Sequence, residues 1–175
     1  RNPSVAPYRG LSGLFLTFNR NKKSVVINLK SEAGRNVFYD LVKVSDVVID
    51  NFRPGVLERL QIDYPTLSRI NPRIIQCSVT GFGTAGAYKD YPALDIIIQA
   101  ISGYMAITGE PGRPPARVGI PLADLSGGIF SCKGILAALF DRERTGNGRR
   151  IELSMFDAML NLLGYMGTMW LTNGE

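Results

Sequence analysis

Apolar positions along the chain fall into short runs separated by helical stretches. Ser24–Asn28, Asp46–Asp50 and Arg73–Val79 are brief Val- and Ile-bearing segments, and each predicts a strand. Between the first two, Ser31 caps a predicted helix to about Val44, with Ala33, Val37, Phe38, Leu41 and Val42 on one face. After the second, Asn51-Phe52-Arg53-Pro54-Gly55 reads as a loop and Val56 to Leu60 as a short helix. Pro65 to Ile70 makes another helical turn, which Asn71-Pro72 stops. Strands alternating with helices over such short connections imply βαβ units and a parallel sheet with flanking helices. The expected class is therefore α/β and Rossmann-like. Right-handed crossovers then gather the loops after the strands on one sheet edge, where open α/β sheets bind ligands.

The second half continues the alternation more loosely. Gly81 to Tyr91 is loop, Ala93 to Gly103 a helix, and Thr108 to Pro115 a Gly/Pro-rich loop. A longer helix carries Ile129, Ile135, Leu136, Leu139 and Phe140, and Thr145-Gly146-Asn147-Gly148 ends it. Ile151 to Met155 reads as a strand, and Asp157 as the cap of a final helix rich in Leu and Met. Gly81-Phe82-Gly83-Thr84-Ala85-Gly86 fits GxGxxG after a strand. The dinucleotide fingerprint also needs its last glycine to enter a helix and an acid about 20 residues on, at a strand end. Loop continues here instead, so an NAD site is rejected.

At 175 residues the chain can bury one sizeable core. No run of eighteen apolar residues occurs, so no membrane helix is expected. The opening Arg1-Asn2-Pro3-Ser4 has neither Met nor an apolar h-region, so no signal peptide is expected; with the abrupt end at Gly174-Glu175 it suggests a piece of a longer protein. Cys77 and Cys132 have no CxxC partners and read as two buried, reduced thiols of a cytosolic protein. No metal site is expected. The net charge of +5 is uneven: Arg1, Arg9, Arg20, Lys22, Lys23 and Lys30 stand in a segment with no acid. Such a cluster draws anions. Without zinc-finger spacing, an RNP motif or a basic heptad, a compact phosphate-bearing ligand is preferred over nucleic acid.

Chemistry concentrates in Arg117-Val118-Gly119-Ile120-Pro121-Leu122-Ala123-Asp124-Leu125-Ser126-Gly127-Gly128. Asp124 lies between an extended apolar run and a helix opening with small residues. It reads either as that helix's N-cap or as a carboxylate nucleophile. On the second reading the positive helix end keeps it ionised, and Ser126, Gly127 and Gly128 leave room for a reactant.

Taken together, Asn21-Lys22-Lys23-Ser24, Asp50-Asn51-Phe52-Arg53-Pro54-Gly55, Asn71-Pro72-Arg73-Ile74-Ile75, Gly81-Phe82-Gly83, Gln99-Ala100-Ile101-Ser102-Gly103, Leu122-Ala123-Asp124 and Arg144-Thr145-Gly146-Asn147-Gly148 resemble the class III CoA-transferases. This is the CaiB/BaiF family, which includes formyl-CoA transferase and the α-methylacyl-CoA racemases. The resemblance runs from Asn21 to about Leu163. It implies the family's large domain, so that residues 1–175 form one incomplete CoA-binding domain with the second domain outside the chain. Asp124 matches the catalytic aspartate, which passes CoA from an acyl-CoA thioester to a free carboxylic acid through aspartyl anhydride and aspartyl-CoA intermediates. Ile27, Asn51 and Phe52 match residues lining the CoA groove, and Lys30 and Arg59 match positions that meet its phosphates. Asp95 matches an acid bordering the reacting thioester; read without the resemblance it is equally a capping acid. Racemases place a histidine before that acid, but here the position is Leu94 and the chain has no histidine. Leu cannot move a proton, which turns the reading away from racemase or isomerase chemistry.

The implied partners are acyl-CoA and a small carboxylic acid, with CoA a substrate rather than a tightly bound cofactor, and neither nucleic acid nor membrane. The resemblance also implies an interlocked homodimer for the full-length protein; the expected location is the cytoplasm or, in a eukaryotic source, the mitochondrion. A different class remains open, a fragment that binds CoA or another nucleotide without chemistry.

Overall fold

The computed structural model describes residues 10–174. Helices α1 (Gly13–Asn19) and α2 (Glu32–Lys43) precede strand β1 (Val47–Asp50). Short helices α3 (Val56–Leu60) and α4 (Tyr64–Ile70) lead to β2 (Ile75–Thr80). Next come α5 (Asp95–Ile101), the long α6 (Leu122–Thr145), β3 (Arg150–Ser154), α7 (Met155–Leu163) and α8 (Tyr165–Asn173). The described strands form one parallel sheet in the order β1-β2-β3. Val47 pairs with Ile75 and Asp50 with Ser78, while Gln76 pairs with Arg150 and Thr80 with Ser154. All three strands end on the same edge, as parallel connections require.

Alternation along β2 sends its side chains to two different layers. Gln76 donates its amide to the Ile62 carbonyl on the α3–α4 side at 3.0 Å. There Val42, Leu57, Ile62, Leu67 and Ile74 form one core. Val79 packs into the other core, with Ile98, Ala123, Met155 and Met159 beneath α5, α6 and α7. Glycines let α6 lie close: a Cβ on Gly127 would meet the Met155 side chain at 3.2 Å, and one on Gly134 would meet Ile151 at 3.3 Å. By length and hydropathy α6 could cross a membrane. In this fold it packs on β2, β3, α5 and α7, the place of a core-flanking helix.

Several expectations need correction. Ser24–Asn28 is not a strand. It has no ladder partner among the described residues, and Val26 is 97% exposed. Asn28 instead builds the turn into α2: its carbonyl accepts from the Ser31 N–H and hydroxyl, and its side-chain oxygen from the Lys30 N–H. Ser31 does cap α2, accepting from the Gly34 N–H at 3.1 Å. Only Phe38 and Val42 of the predicted α2 face join the core, while Val37 and Leu41 stay exposed. The cap of α7 is Ser154, which accepts from the Asp157 N–H, so Asp157 is the recipient of a cap rather than the cap itself. Gly164 breaks the final helix in two. Cys77 is buried, and burial raises its thiol pKa, but Cys132 is exposed on α6. Helix α1 was not anticipated, although Ser12 caps it in the ordinary way.

The turn from α6 to β3 gives a stability test. At Gly148 a Cβ would fall 1.8 Å from the Ile74 carbonyl oxygen, a backbone atom that cannot swing aside. Gly146 has a left-handed φ of +74° with open space around it. Gly148→Ala should therefore cost about 2–3 kcal/mol or more from overpacking. Gly146→Ala should cost roughly 1 kcal/mol from backbone strain. Denaturant unfolding of both variants checks the order, and a larger loss at Gly146 would contradict the close approach.

Candidate functional site

The loops leaving the C-terminal ends of the three strands surround an open cleft of about 330 Å³. Asn51, Phe52, Arg53 and Pro54 follow β1; Thr80 and Gly81 end β2; Met155 follows β3. Lys89, Tyr91, Pro92, Ala93, Leu94 and Asp95 come from the segment into α5, and Asp124 from α6. A second hollow shares Asn51, Asp124 and Met155 and extends to Ile49, Val79 and Gly128. Asp124 thus stands where the two meet. This is the sheet edge at which open α/β folds take ligands.

Asp124 is not a helix cap. Helix α6 begins at Leu122, its N-cap is Pro121, and Pro121 supplies no side-chain acceptor. Early helical N–H groups need partners from outside the helix. The Ile120 carbonyl takes the Leu122 N–H, and Asp95, at the start of α5, takes the next two: its Oδ1 accepts from the Ala123 N–H at 2.8 Å and from the Asp124 N–H at 3.3 Å. The capping acid and the candidate nucleophile are therefore two different residues. Of the small residues after Asp124, only Gly128 borders the cleft, since Ser126 and Gly127 are buried.

The electrostatics also differ from a simple helix-end anion. Partial withdrawal from water raises the Asp124 pKa above the ordinary aspartate value, and the nearby Asp95 charge raises it further. Asp95 already occupies the donors that would have favoured the Asp124 anion. Gly81 fixes how close α5 comes, because a Cβ there would lie 2.0 Å from that of Ala93. Its carbonyl also accepts from the Phe156 N–H at 3.0 Å, tying the loop to the start of α7. Beyond Gly81 the GxGxxG segment stays non-helical, with Gly83 and Gly86 at positive φ.

Five of the residues singled out from the sequence meet in this cleft: Asn51, Phe52, Leu94, Asp95 and Asp124. Asn51 lines it while its amide donates to the Val79 carbonyl at 2.6 Å, so that side chain also joins β1 to β2. Ile27, Lys30 and Arg59 are not among the lining residues. Lys22, Lys23 and Lys30 are exposed on the segment before α2, while Arg1 and Arg9 lie outside the described residues. Reading the sequence missed Lys89, the cation on the loop before α5. Only its place between β2 and Asp95 could have flagged it. Among the described residues no group of His, Cys, Asp and Glu could hold a metal ion.

This geometry defines an α/β domain with a carboxylate pair in a cleft at the C-terminal edge of its parallel sheet. The chain matches CoA-transferase family III over residues 1–175 and belongs to that family. It is 48% identical to the acetyl-CoA:oxalate CoA-transferase of Acetobacter aceti over 98% of the chain and 45% of that protein. With the succinate–glutarate CoA-transferase of Agrobacterium fabrum it shares 40% identity, over 90% of the chain and 39% of the relative. A crystal structure of a CaiB/BaiF family protein from Brucella suis superimposes with a TM-score of 0.92 at 38% identity, over 99% of the chain and 46% of the other. The chain spans less than half the length of these relatives.

The raised Asp124 pKa carries a stability consequence. The folded protein binds that proton more tightly than the unfolded chain does, so stability falls as pH rises through the folded pKa and is regained in acid. In the full-length protein, Asp124→Asn removes the ionisation. It should raise the melting temperature relative to wild type near pH 7, with the gap closing as pH falls below the ordinary aspartate range. A gap that widens in acid would mean that the carboxylate is favoured by folding instead.

Proposed function

We propose that the full-length protein is a CoA-transferase that moves CoA from an acyl-CoA thioester to a free carboxylic acid, with Asp124 as nucleophile. The observation that supports this most is the division of labour at α6. Asp95 satisfies the Ala123 and Asp124 N–H groups, leaving the Asp124 side chain at the cleft with no hydrogen bond to its oxygens among the described residues and its basicity raised. A more basic carboxylate is a better nucleophile, and it is still largely ionised if its pKa remains below the working pH. The names of the relatives, which include acetyl-CoA:oxalate and succinate–glutarate CoA-transferases, support the same class of reaction.

In this reading an Asp124 oxygen attacks the thioester carbonyl. The C–S bond breaks, CoA leaves as thiolate, and a mixed aspartyl anhydride forms. The thiolate attacks the aspartyl carbonyl of the anhydride, releasing the donor as a free carboxylate and leaving an aspartyl-CoA thioester. The acceptor carboxylate attacks that thioester, giving a second anhydride and thiolate. Finally the thiolate attacks the acceptor's acyl carbonyl, and Asp124 returns as a carboxylate. No net proton transfer is needed, which suits a site whose cleft contains no histidine. Arg53 and Lys89 are the cleft cations available to the anionic reactants. Racemase chemistry finds no support at Leu94, an exposed apolar side chain at the cleft rim. The same reading takes the acting form to be an interlocked homodimer. The exposed Leu160, Leu162, Trp170 and Leu171 of α7 and α8 are surfaces that more protein would cover.

Incubation of the full-length protein with an acyl-CoA donor should acylate Asp124, and hydroxylamine should trap it as a hydroxamate. Asp124→Asn should cut transfer by on the order of a thousandfold or more while acyl-CoA binding persists. Because Asp124 does not cap α6, this loss cannot be assigned to a frayed helix. The acid limb of kcat/KM should lie above the ordinary aspartate range. Transfer at near wild-type rate in a non-deamidated Asp124→Asn sample would defeat the nucleophile assignment and leave a binding module.

A further inference from the structure

Gln99 is a fully buried polar residue in α5, and both its amide donors and its amide oxygen are engaged. Its Nε2 donates to Asp95 Oδ2 at 2.7 Å and to the Ile120 carbonyl at 3.1 Å. Its Oε1 accepts from the Val118 N–H at 2.9 Å. The amide cannot be turned over, since flipping it would set oxygen against two acceptors and nitrogen against a donor. One side chain thereby holds both parts of the entry to α6. It fixes the Asp95 carboxylate, whose other oxygen caps Ala123 and Asp124, and it anchors the extended segment that delivers Pro121 and Leu122.

A chain of contacts therefore runs from Gln99 through Asp95 to the backbone of Asp124. Gln99 touches neither hollow of the cleft, because it lines neither one. We propose that Gln99 is a positioning residue for CoA transfer. By locking the orientation of Asp95 and the path of Val118 to Ile120, it sets the first turn of α6 and with it the angle from which Asp124 attacks. This rests on Asp124 being the nucleophile. It requires that Gln99 act on the chemical step and that its effect pass through Asp95. A polar residue serving stability alone would change the amount of folded protein and leave the turnover of the folded fraction intact.

The test uses the full-length protein with saturating acyl-CoA and acceptor acid. Gln99→Leu removes all three hydrogen bonds. It should lower kcat by roughly tenfold to a hundredfold, the range expected when a reacting group is misplaced by about an ångström. KM for acyl-CoA should stay within about twofold, since no cleft contact is lost. In a double-mutant cycle, Gln99→Leu added to Asp95→Ala should cost less than about threefold in kcat, because the carboxylate it orients is already gone. Gln99→Glu keeps the acceptor for the Val118 N–H but sets an oxygen against Asp95 and the Ile120 carbonyl. When protonated it donates again. Ionised, it faces Asp95 at hydrogen-bonding range, and such a pair holds a proton between its members. The charged groups that share the cleft with the Asp95 member of that pair are Asp124 from α6, Lys89 from the loop before α5 and Arg53 from the loop after β1.

The kcat of Gln99→Glu relative to wild type should therefore be near one in acid and fall as pH rises. If Gln99→Leu does not accumulate as folded protein, this profile decides alone. A pH-independent ratio, or losses at Asp95 and Gln99 that multiply in the cycle, would overturn the positioning role. Asp124→Asn assayed alongside separates the two failures: a dead Asp124→Asn with flat Gln99 effects rejects only the role of Gln99, whereas an active Asp124→Asn rejects the mechanism beneath it.

Discussion

The site depends on a helix capped from another element. The N-cap of helix α6 is a proline, which offers no side-chain acceptor, and although the Ile120 carbonyl takes the Leu122 N–H, the next two N–H groups need a partner from elsewhere. Asp95 supplies it from 28 and 29 residues away in sequence, accepting from Ala123 and Asp124. That arrangement joins α5 to α6, brings a second negative charge beside Asp124, and leaves Asp124 free of structural duty. A local Ser or Asp cap would have stabilised the helix as well, at about 1 kcal/mol. It would not have raised the basicity of Asp124 in the same way.

The rest of the fold holds this junction in place. At the far end of α6, Arg142 is almost wholly buried, donating to the Arg73 carbonyl and pairing with Asp46 at 2.9 Å. Its side chain thus ties the helix to the starts of β2 and β1. Between the two ends, Gly127 and Gly134 remove the bulk that would lift the helix from Val79, Met155 and Ile151. A close-packed interior transmits a shift of one side chain to its neighbours. The orientation of Asp124 is accordingly set by the sheet, by α5 and by both ends of its own helix. Such rigidity suits the attack on carbonyl carbon proposed for Asp124.

Placement at the sheet edge then decides what the carboxylates can meet. Asn51, Phe52, Arg53 and Pro54 arrive there because β1 ends at Asp50, and Met155 because β3 ends at Ser154. Asp50 turns its carboxylate inward, accepting from the Ser78 hydroxyl and the Phe52 N–H, which shapes the loop presenting Phe52. Cations and the aromatic rings of Phe52 and Tyr91 thus share the cleft with two acids. Such a surface suits an anionic ligand held beside a carboxylate.

Much of this was legible in the sequence. Alternating short apolar runs and helical stretches predicted the parallel α/β sheet, because strand and helix periods are local properties of the chain. Ser31 as a cap, Asn71-Pro72 as a stop and Gly146 as a helix end all depend on neighbours a few residues away. Asp124 stood out for its position between an extended run and a helix of small residues. Apart from the local caps at Ser12 and Ser154 and the break at Gly164, what failed depended on distant partners. Ser24–Asn28 has the composition of a strand, but a strand exists only where another strand supplies its hydrogen bonds. The identity of the α6 cap could not be read, because Asp95 reaches it only after the chain has folded back. Gly127 looked like access for a reactant and proved to be packing, since only the sheet decides which side of a helix faces inward. The sequence by itself determined the elements and the chemistry available to them; the tertiary structure alone decided that Asp95 caps and Asp124 is left for the cleft, because hydrogen bonds between remote residues are set by packing.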